Sequence, residues 1–308
     1  MNPLVAIVGP TGIGKSRLAL HLARVFNGEI ISADSRQVYR YMDIGTAKPN
    51  ALEQEQVRHH LIDIVAPDQD FSLAPFQKLA LDAINDIHRR HKLPILAGGS
   101  GLYVWALLEG WQLPEAKPDP ELRRRLEKQA AEAGHESLYA ELLNIDPAAA
   151  QRIDPRNIRR VIRALEVYRQ AAQTSYRPER KKSMPYRTLI IGLTIDRKEL
   201  YRRVDRRVDD MMERGLVAEV EKLANMGYDS YLPAMNSIGY KQVAMFLRGE
   251  VSLEMAVQQI KYETHRFIRH QYAWFRLNDE RIHWFDVAQL QEVEIEELVA
   301  GFLKGEGK

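Results

Sequence analysis

Apolar and polar positions fall into two kinds of run along the chain. Leu4-Val5-Ala6-Ile7-Val8 and Leu93-Pro94-Ile95-Leu96-Ala97 are unbroken apolar stretches, the pattern of a strand buried on both faces. Thr188 to Ile195 repeats it, and Glu29 to Ser35 and Leu61-Ile62-Asp63-Ile64-Val65 add two further strand candidates. Between the runs, apolar residues recur at helical spacing. Leu18, Ala19, Leu22, Ala23 and Phe26 form one face, stopped by Asn27-Gly28. Phe76, Leu79, Ala80, Ala83, Ile84 and Ile87 form another, after an N-cap signal at Ser72. Strands that alternate with amphipathic helices predict an α/β fold with a parallel sheet.

The texture changes after Leu113. Pro114-Glu115-Ala116-Lys117-Pro118 reads as a linker, and Asp119-Pro120 supplies an N-cap and first-turn proline. Gly134 stops that helix, with further helix starts expected at Ser137 and Asp146-Pro147 and helical patterning to about Gln170. A basic, proline-containing stretch over residues 177–187 leads back to the strand that starts near Thr188. The expected domains are therefore a core of residues 1–114 and 187–308 and a helical insertion of residues 115–186. From Arg197 onward the patterning is mostly helical.

Gly9-Pro10-Thr11-Gly12-Ile13-Gly14-Lys15-Ser16 follows the first strand and opens the first helix. It fits the phosphate-binding loop G-x-x-x-x-G-K-[ST]. Its glycines let successive N–H groups face one concavity, Lys15 brings a charge to a phosphate, and Ser16 can offer a hydroxyl to Mg²⁺. The fold class expected is thus a P-loop NTPase-like parallel sheet flanked by helices, with an α-helical insertion domain. Asp34 ends the second strand, on the side where open parallel sheets collect ligands. A plain helix N-cap ahead of residues 35–41 is its alternative role. Gly98-Gly99-Ser100-Gly101 after the Leu93 strand is either a second functional turn or a tight structural one. A hydrolytic NTPase should end such a strand in a magnesium-holding Asp. Here the strand runs into glycines, so transfer to an acceptor or loss of diphosphate is expected rather than hydrolysis.

Composition narrows the classes. The 308 residues are 45% hydrophobic, enough for a core, and the net charge of +2 does not announce a nucleic-acid partner. Any such partner must come from local clusters. The absence of cysteine excludes disulfides, thiolate metal sites and a cysteine nucleophile. No secretory leader or membrane-length apolar run is seen, so a soluble cytoplasmic protein is expected. Arg156, Arg159, Arg160 and Arg163 share one helical face, opposite Ile158, Val161, Ile162 and Leu165. That face either grips phosphates or is simply solvated. Arg202, Arg203, Arg206 and Arg207 form a second set, which Asp205, Asp209 and Asp210 could neutralise in part. A third, residues 261–276, interleaves cations with Tyr262, Phe267, Tyr272, Trp274 and Phe275, which suits stacked bases or an aromatic core.

Several stretches together resemble the tRNA dimethylallyltransferases, also called tRNA isopentenyltransferases. They are the loop Gly9 to Ser16, Ser32-Ala33-Asp34-Ser35-Arg36-Gln37-Val38-Tyr39, Met42-Asp43-Ile44-Gly45-Thr46-Ala47-Lys48-Pro49, Gly98 to Tyr103, Arg163-Ala164-Leu165-Glu166-Val167 and Ile238-Gly239-Tyr240-Lys241-Gln242. The resemblance covers nearly the whole chain. It implies transfer of a dimethylallyl group from dimethylallyl diphosphate to N6 of adenosine-37, next to the anticodon, in tRNAs that read codons beginning with U. It implies Mg²⁺ as cofactor, with Ser16 as metal ligand, and the tRNA anticodon stem-loop as partner. No protein partner follows from it, and a monomer is expected. It implies Asp34 and Ser100 as catalytic residues. It implies Gly9, Pro10, Thr11, Gly12, Ile13, Gly14, Lys15, Ser16 and Arg207, with Arg203 as the alternative arginine, as the diphosphate site. RNA contacts are implied at Asp34, Ser35, Arg36, Gln37, Ser100, Arg123, Arg159, Arg160, Val161, Ile162, Arg163, Asn236, Ser237, Ile238, Gly239, Tyr240 and Lys241. Arg269-His270-Gln271 departs from the basic pair that members often carry before Gln, so one cation there depends on protonation. A small-molecule or nucleotide kinase is the alternative that the loop alone allows.

Overall fold

The computed structural model describes residues 1–113, 119–170 and 186–305. The chain forms two compact units, Met1–Leu108 with Met184–Lys308, and Glu109–Ser183. The first unit opens with β1 (Asn2–Val8), α1 (Lys15–Val25), β2 (Gly28–Ser32), α2 (Ala51–Gln56), β3 (His59–His60), α3 (Leu73–Arg89), β4 (Leu93–Ala97) and α4 (Gly101–Leu108). The second holds α5 (Pro120–Ala133), α6 (His135–Ile145), α7 (Pro147–Ala150) and α8 (Ile158–Gln170). The chain then returns to the first unit through β5 (Tyr186–Thr194), α9 (Arg197–Glu213), α10 (Leu216–Asn225), α11 (Tyr240–Leu247), α12 (Leu253–Trp274), β6 (Ile282–Asp286) and α13 (Glu292–Lys304). The linker expected at residues 114–118, and the basic stretch as far as residue 185, lie outside the described residues.

Among the described residues the sheet has the order β3-β2-β4-β1-β5-β6, and every pairing is parallel. Val5 of β1 stands opposite Ile95 of β4 on one side and Leu189 of β5 on the other. The apolar runs are therefore the central strands, covered on both faces, which is why they carry no alternation. Leu18, Leu22, Ile95, Ile191 and Val204 belong to the core on the sheet. A second apolar cluster gathers Val38, Met42, Val208, Met211, Leu216, Tyr240 and Ile260. Both α9 and α12 contribute to both clusters: Val204 and Ile268 pack on the sheet, Val208 and Ile260 in the helical cluster. The second unit has its own core of Leu122, Leu126, Leu138, Leu142, Val161 and Leu165.

Some elements differ from the sequence expectation. Leu61 to Val65 is not a strand. The pairing residues are His59 and His60, opposite Ile30 and Ile31. Leu61 and Asp63 have φ of 64° and 57°, a left-handed backbone that cannot continue a pleat. Asp63 instead accepts a bond from the buried Lys48 Nζ at 2.6 Å. No helix follows Asp34, because residues 35–41 run through successive turns. The Ser72 side chain makes no cap bond, and α6 starts at His135 rather than Ser137. Asp119 does cap α5, accepting from the N–H groups of Glu121 and Leu122. Strand β6 was hidden in a segment read as mostly helical.

Strand β2 is anchored beneath the sheet by Glu29, which is 1% exposed. Its carboxylate accepts from both terminal nitrogens of Arg90 and lies 3.0 Å from Lys92 Nζ and 2.7 Å from His60 Nε2. Burial alone would raise the carboxyl pKa, but these donors hold it down at about 2. Glu29→Gln should lower stability in urea at pH 7 by about 2 kcal/mol. This is less than the ~3–5 of a fully buried pair, because Arg90 and Lys92 still reach water. A depressed carboxyl stabilises above its unfolded pKa, so the gap between native and variant should close as pH falls from 4.5 towards 2.

Candidate active site

The loop between β1 and α1 is shaped by steric limits. Gly9 has φ of 137°, and a Cβ there would lie 2.6 Å from Leu193 O at the end of β5. Gly12 has φ of 76°, and its Cβ would meet Val204 of α9 at 2.5 Å. The loop is thus held between a neighbouring strand and a helix, with no room for side chains at those points. Gly14, left-handed with φ of 104°, precedes α1, and no side chain caps that helix. Its first N–H groups therefore face a cavity, where an anion is favoured.

Lys15 donates from Nζ to Pro10 O at 2.7 Å. Burial and the neighbouring Arg207 cation lower its pKa from 10.5 to about 7, with Asp34 opposing the shift. Arg207 is also lowered, chiefly by burial, and Asp34 supports its charge. Lys15, Ser16, Asp34, Arg207 and Asp210 line one cavity of about 400 Å³. Of the second arginine set, Arg202, Arg203 and Arg206 pair with Glu199. The aspartates of α9 do not neutralise them: Asp205 pairs with His265 at 2.8 Å and Asp209 with Lys261 at 2.6 Å, both on α12.

A second cavity of about 280 Å³ adjoins the first, and Thr11, Asp34, Thr46, Arg207 and Met211 line both. Its far walls are apolar, from Val204, Val208, Ile260 and Phe267, and Ser100 and Asn236 stand on its polar side. Asp34 sits where the cavities join. Its Oδ1 accepts the Arg36 N–H at 2.8 Å, a turn rather than a helix cap. Ser100 accepts the Ser35 N–H on Oγ at 3.2 Å and donates its own N–H to Ala33 O at 3.3 Å, tying the ends of β2 and β4. The glycines around Ser100 have packing reasons: a Cβ on Gly98 would meet Ala33 O at 2.2 Å, and one on Gly101 would meet Trp274 Cγ at 2.2 Å.

The residues expected at the RNA divide. Arg36, Asn236 and Lys241 are wholly or partly accessible, and Asn236, Ile238 and Lys241 line a separate surface cavity with Tyr262 and Arg266. Arg159 and Arg160 are exposed on α8. Five of these residues have side chains engaged within the fold, although Ser237 and Tyr240 also line the apolar cavity. Val161 and Ile162 are buried in the core of the second unit. Tyr240 is wholly buried, and its hydroxyl donates to Glu219 at 2.6 Å. The Ser237 hydroxyl is buried and donates to Ala234 O. Arg123 forms two bonds of 2.9 Å to the buried Glu166, which also pairs with Arg163. Arg156 precedes α8 and pairs with Asp154, so the arginine face is shorter than its spacing suggested. Gln37 is held from within the fold, by Ser32 on Oε1 and by Thr46 and Ala47 carbonyls on Nε2. The aromatic tail divides too: Phe275 is core, while Phe267 reaches the apolar cavity and Tyr262 is exposed.

Two residues that were not among the expected site residues shape this site. Glu219 of α10 accepts the N–H groups of Asp43, Ile44 and Gly45 at 3.0, 2.8 and 3.3 Å. It thereby fixes the loop that brings Gly45 and Thr46 to the cavity wall. Gln271 of α12 bonds both the phosphate loop and the turn after β4. Glu219 has no sequence signal beyond its residue type, and the stretch Arg269-His270-Gln271 does not tell what Gln271 holds, because both act on distant backbone.

The sequence model of the family described as IPP transferase matches residues 37–278. A tRNA dimethylallyltransferase of Thermomicrobium roseum is 52% identical over 288 residues, covering 94% of this chain and 87% of its own. The crystal structure of the full-length tRNA isopentenylpyrophosphate transferase of Bacillus halodurans is similar at a TM-score of 0.74 with 42% identity, covering 99% of this chain and 98% of that one. A eukaryotic dimethylallyltransferase captured acting on tRNA is similar at a TM-score of 0.80 with 26% identity, covering 100% of this chain and 81% of that one.

The lowered pKa of Lys15 makes anion binding proton-linked. A diphosphate beside Lys15 favours its charged form, so below pH 7 the lysine is ready and above it a proton must be taken up. The Kd of inorganic diphosphate, by calorimetry, should rise up to about tenfold per pH unit above 7. Dividing by the Kd of Lys15→Ala at each pH removes the anion's own titration. A ratio that stays flat with pH would refute the coupling.

Proposed function

The chain belongs to the IPP transferase family, transferring a dimethylallyl group from dimethylallyl diphosphate to N6 of adenosine-37 in tRNAs that read codons beginning with U, and we propose that the two adjoining cavities are where donor and acceptor meet. The observation that carries this is Asp34, which borders the phosphate cavity and the apolar cavity at once. The diphosphate lies on the loop N–H groups, Lys15 and Arg207. The five-carbon tail lies against Val204, Val208 and Phe267. A kinase would use the first cavity and leave the apolar one without a purpose.

Adenine N6 is a weak nucleophile because its lone pair is delocalised into the ring. It attacks C1 of the dimethylallyl group, the C1–oxygen bond breaks, and the electron pair leaves with the diphosphate. The N6 proton passes to the Asp34 carboxylate. Loop N–H groups, Lys15 and Arg207 stabilise the charge that grows on the leaving oxygens. Ser100 holds the backbone after Asp34 through Ser35, which keeps the carboxylate on the acceptor side. The base must leave its stack to reach such a crevice, as enzymes acting on bases require.

The donor set also suits Mg²⁺. The described residues contain no group of three His, Cys, Asp or Glu side chains able to hold a metal ion. Mg²⁺ characteristically takes only one or two protein oxygens, completed by water and phosphate, and Ser16 and Asp210 offer such oxygens on the cavity wall. These two would hold it. When bound it would neutralise charge on the leaving diphosphate. No helix among the described residues is long and apolar enough to cross a membrane, and we infer a monomeric cytoplasmic enzyme.

Asp34→Asn tests the proton acceptor. The amide keeps shape and most hydrogen bonding but cannot take the proton. Single-turnover transfer to unmodified tRNA should fall ~10²–10⁴-fold, with donor and tRNA affinity nearly unchanged. A loss under about tenfold would remove the general-base role, and recovery on adding Mg²⁺ would reassign Asp34 to the metal. Separately, replacing Arg159 and Arg160 together by Ala should flatten the log–log salt dependence of tRNA binding by about 1.4–1.8, for two lost phosphate contacts. An unchanged slope would mean that this face is only solvated.

A further inference from the structure

Gln271 is a side-chain amide buried to 3% exposure at the heart of the first unit. Its Oε1 accepts the Thr11 N–H at 2.8 Å, and its Nε2 donates to Gly99 O at 3.0 Å. One end therefore grips the phosphate loop and the other the turn after β4. We propose that Gln271 is a positioning residue for the transfer, holding the diphosphate loop at a fixed distance from the turn that carries Ser100 and supports Asp34. The proposal rests on the transfer reaction described above and adds to it a residue that never touches either substrate.

The linkage is continuous. Gly99 precedes Ser100, which donates its N–H to Ala33 O and accepts from Ser35 N. Asp34 lies between those two residues. Gly98 donates its N–H to Ile7 O of β1 at 3.2 Å. A path of hydrogen bonds thus runs from Thr11 through one side-chain amide to the backbone on both sides of the acceptor carboxylate. The fold makes room for it: a Cβ on Gly99 would lie 2.2 Å from Gln271 Nε2. Trp105 fixes the end of the same helix by donating from Nε1 to Trp274 O at 3.0 Å.

The residue type is restrictive. The site needs an acceptor facing an N–H and a donor facing a carbonyl, on one side chain, with no charge. Glu at this position would set an oxygen against Gly99 O, and Lys would set a donor against the Thr11 N–H. The Thr11 N–H is also withdrawn from phosphate binding. The loop amides left for the anion are those further along, towards Lys15 and Ser16.

The test compares the native protein with Gln271→Met, which matches the length and makes neither bond. Unmodified tRNA and dimethylallyl diphosphate are the substrates. A misplacement of about 1 Å between reacting groups can cost ~10²-fold, so single-turnover kcat should fall about tenfold to a hundredfold. The Kd values of inorganic diphosphate and of tRNA should stay within about threefold, because each cavity keeps its own residues. A residue that served stability alone would lower the melting temperature and leave kcat of the folded protein intact, and that result overturns the proposal. Native protein that transfers nothing would instead overturn the assigned reaction. A second measurement on the native chain applies even if the variant does not fold. The Thr11 amide should be protected from hydrogen exchange without ligand and unmoved when inorganic diphosphate is added, while the amides of Gly14 and Lys15 shift. A freely exchanging Thr11 amide overturns the positioning role.

Discussion

Two cationic side chains held together in a partly buried cavity are the condition to which the rest of the first unit answers. Lys15 and Arg207 share a partly buried cavity; burial lowers the preference of both for charge, Arg207 lowers that of Lys15 further, and one carboxylate, Asp34, is the counterweight. Such an arrangement costs free energy in the folded protein. It persists because the surrounding backbone leaves it no escape: Gly9 is pressed on Leu193, Gly12 on Val204, and Gly98 on Ala33. A polyanion entering the cavity would relieve the repulsion, so on the proposed placement of the leaving group part of its binding energy is stored in the fold beforehand. The same anion, once released, restores the tension, which favours departure of the product only if something replaces its charge.

Much of this was legible in the sequence. The buried central strands announced themselves as unbroken apolar runs, and Gly9 to Ser16 has one physical reading when a strand precedes it and a helix follows. Asp34 was legible because a strand end places its side chain beside that loop. Asp119-Pro120 gave the start of α5 from chemistry two residues long. These cases share a feature: the residues that make the signal also make the structure, within a few positions of one another.

What failed was distant pairing. Leu61 to Val65 has the composition of a strand, but its backbone is turned left-handed at two positions and the buried Lys48 draws Asp63 away. Arg123 and Arg163 read as RNA contacts, and no local pattern tells that a single buried carboxylate, Glu166, pairs with both. Tyr240 sits in a motif that reads as a contact; its ring fills the helical cluster, with Gly45 packed close against it, and it also borders the apolar cavity. Glu219 was not legible at all: no local pattern tells that a helical glutamate will collect three consecutive amides far along the chain. Motif membership thus identified the neighbourhood and did not tell which of its members are held by partners inside the fold.

The sharing of α9 between the two apolar clusters has a metrical consequence. Val204 borders the phosphate loop and the apolar cavity, and Val208 continues the wall of that cavity one helical turn later. With a rise of about 1.5 Å per residue, these two residues stand about 6 Å apart along a stiff rod. On the proposed placement of the donor, its charged head and its hydrocarbon tail are read by one ruler, the single helix α9. A longer hydrocarbon could not be admitted by sliding one half of the site away from the other. The helix itself would have to bend, so the ladder of backbone hydrogen bonds in α9 is what sets the calibre of the enzyme.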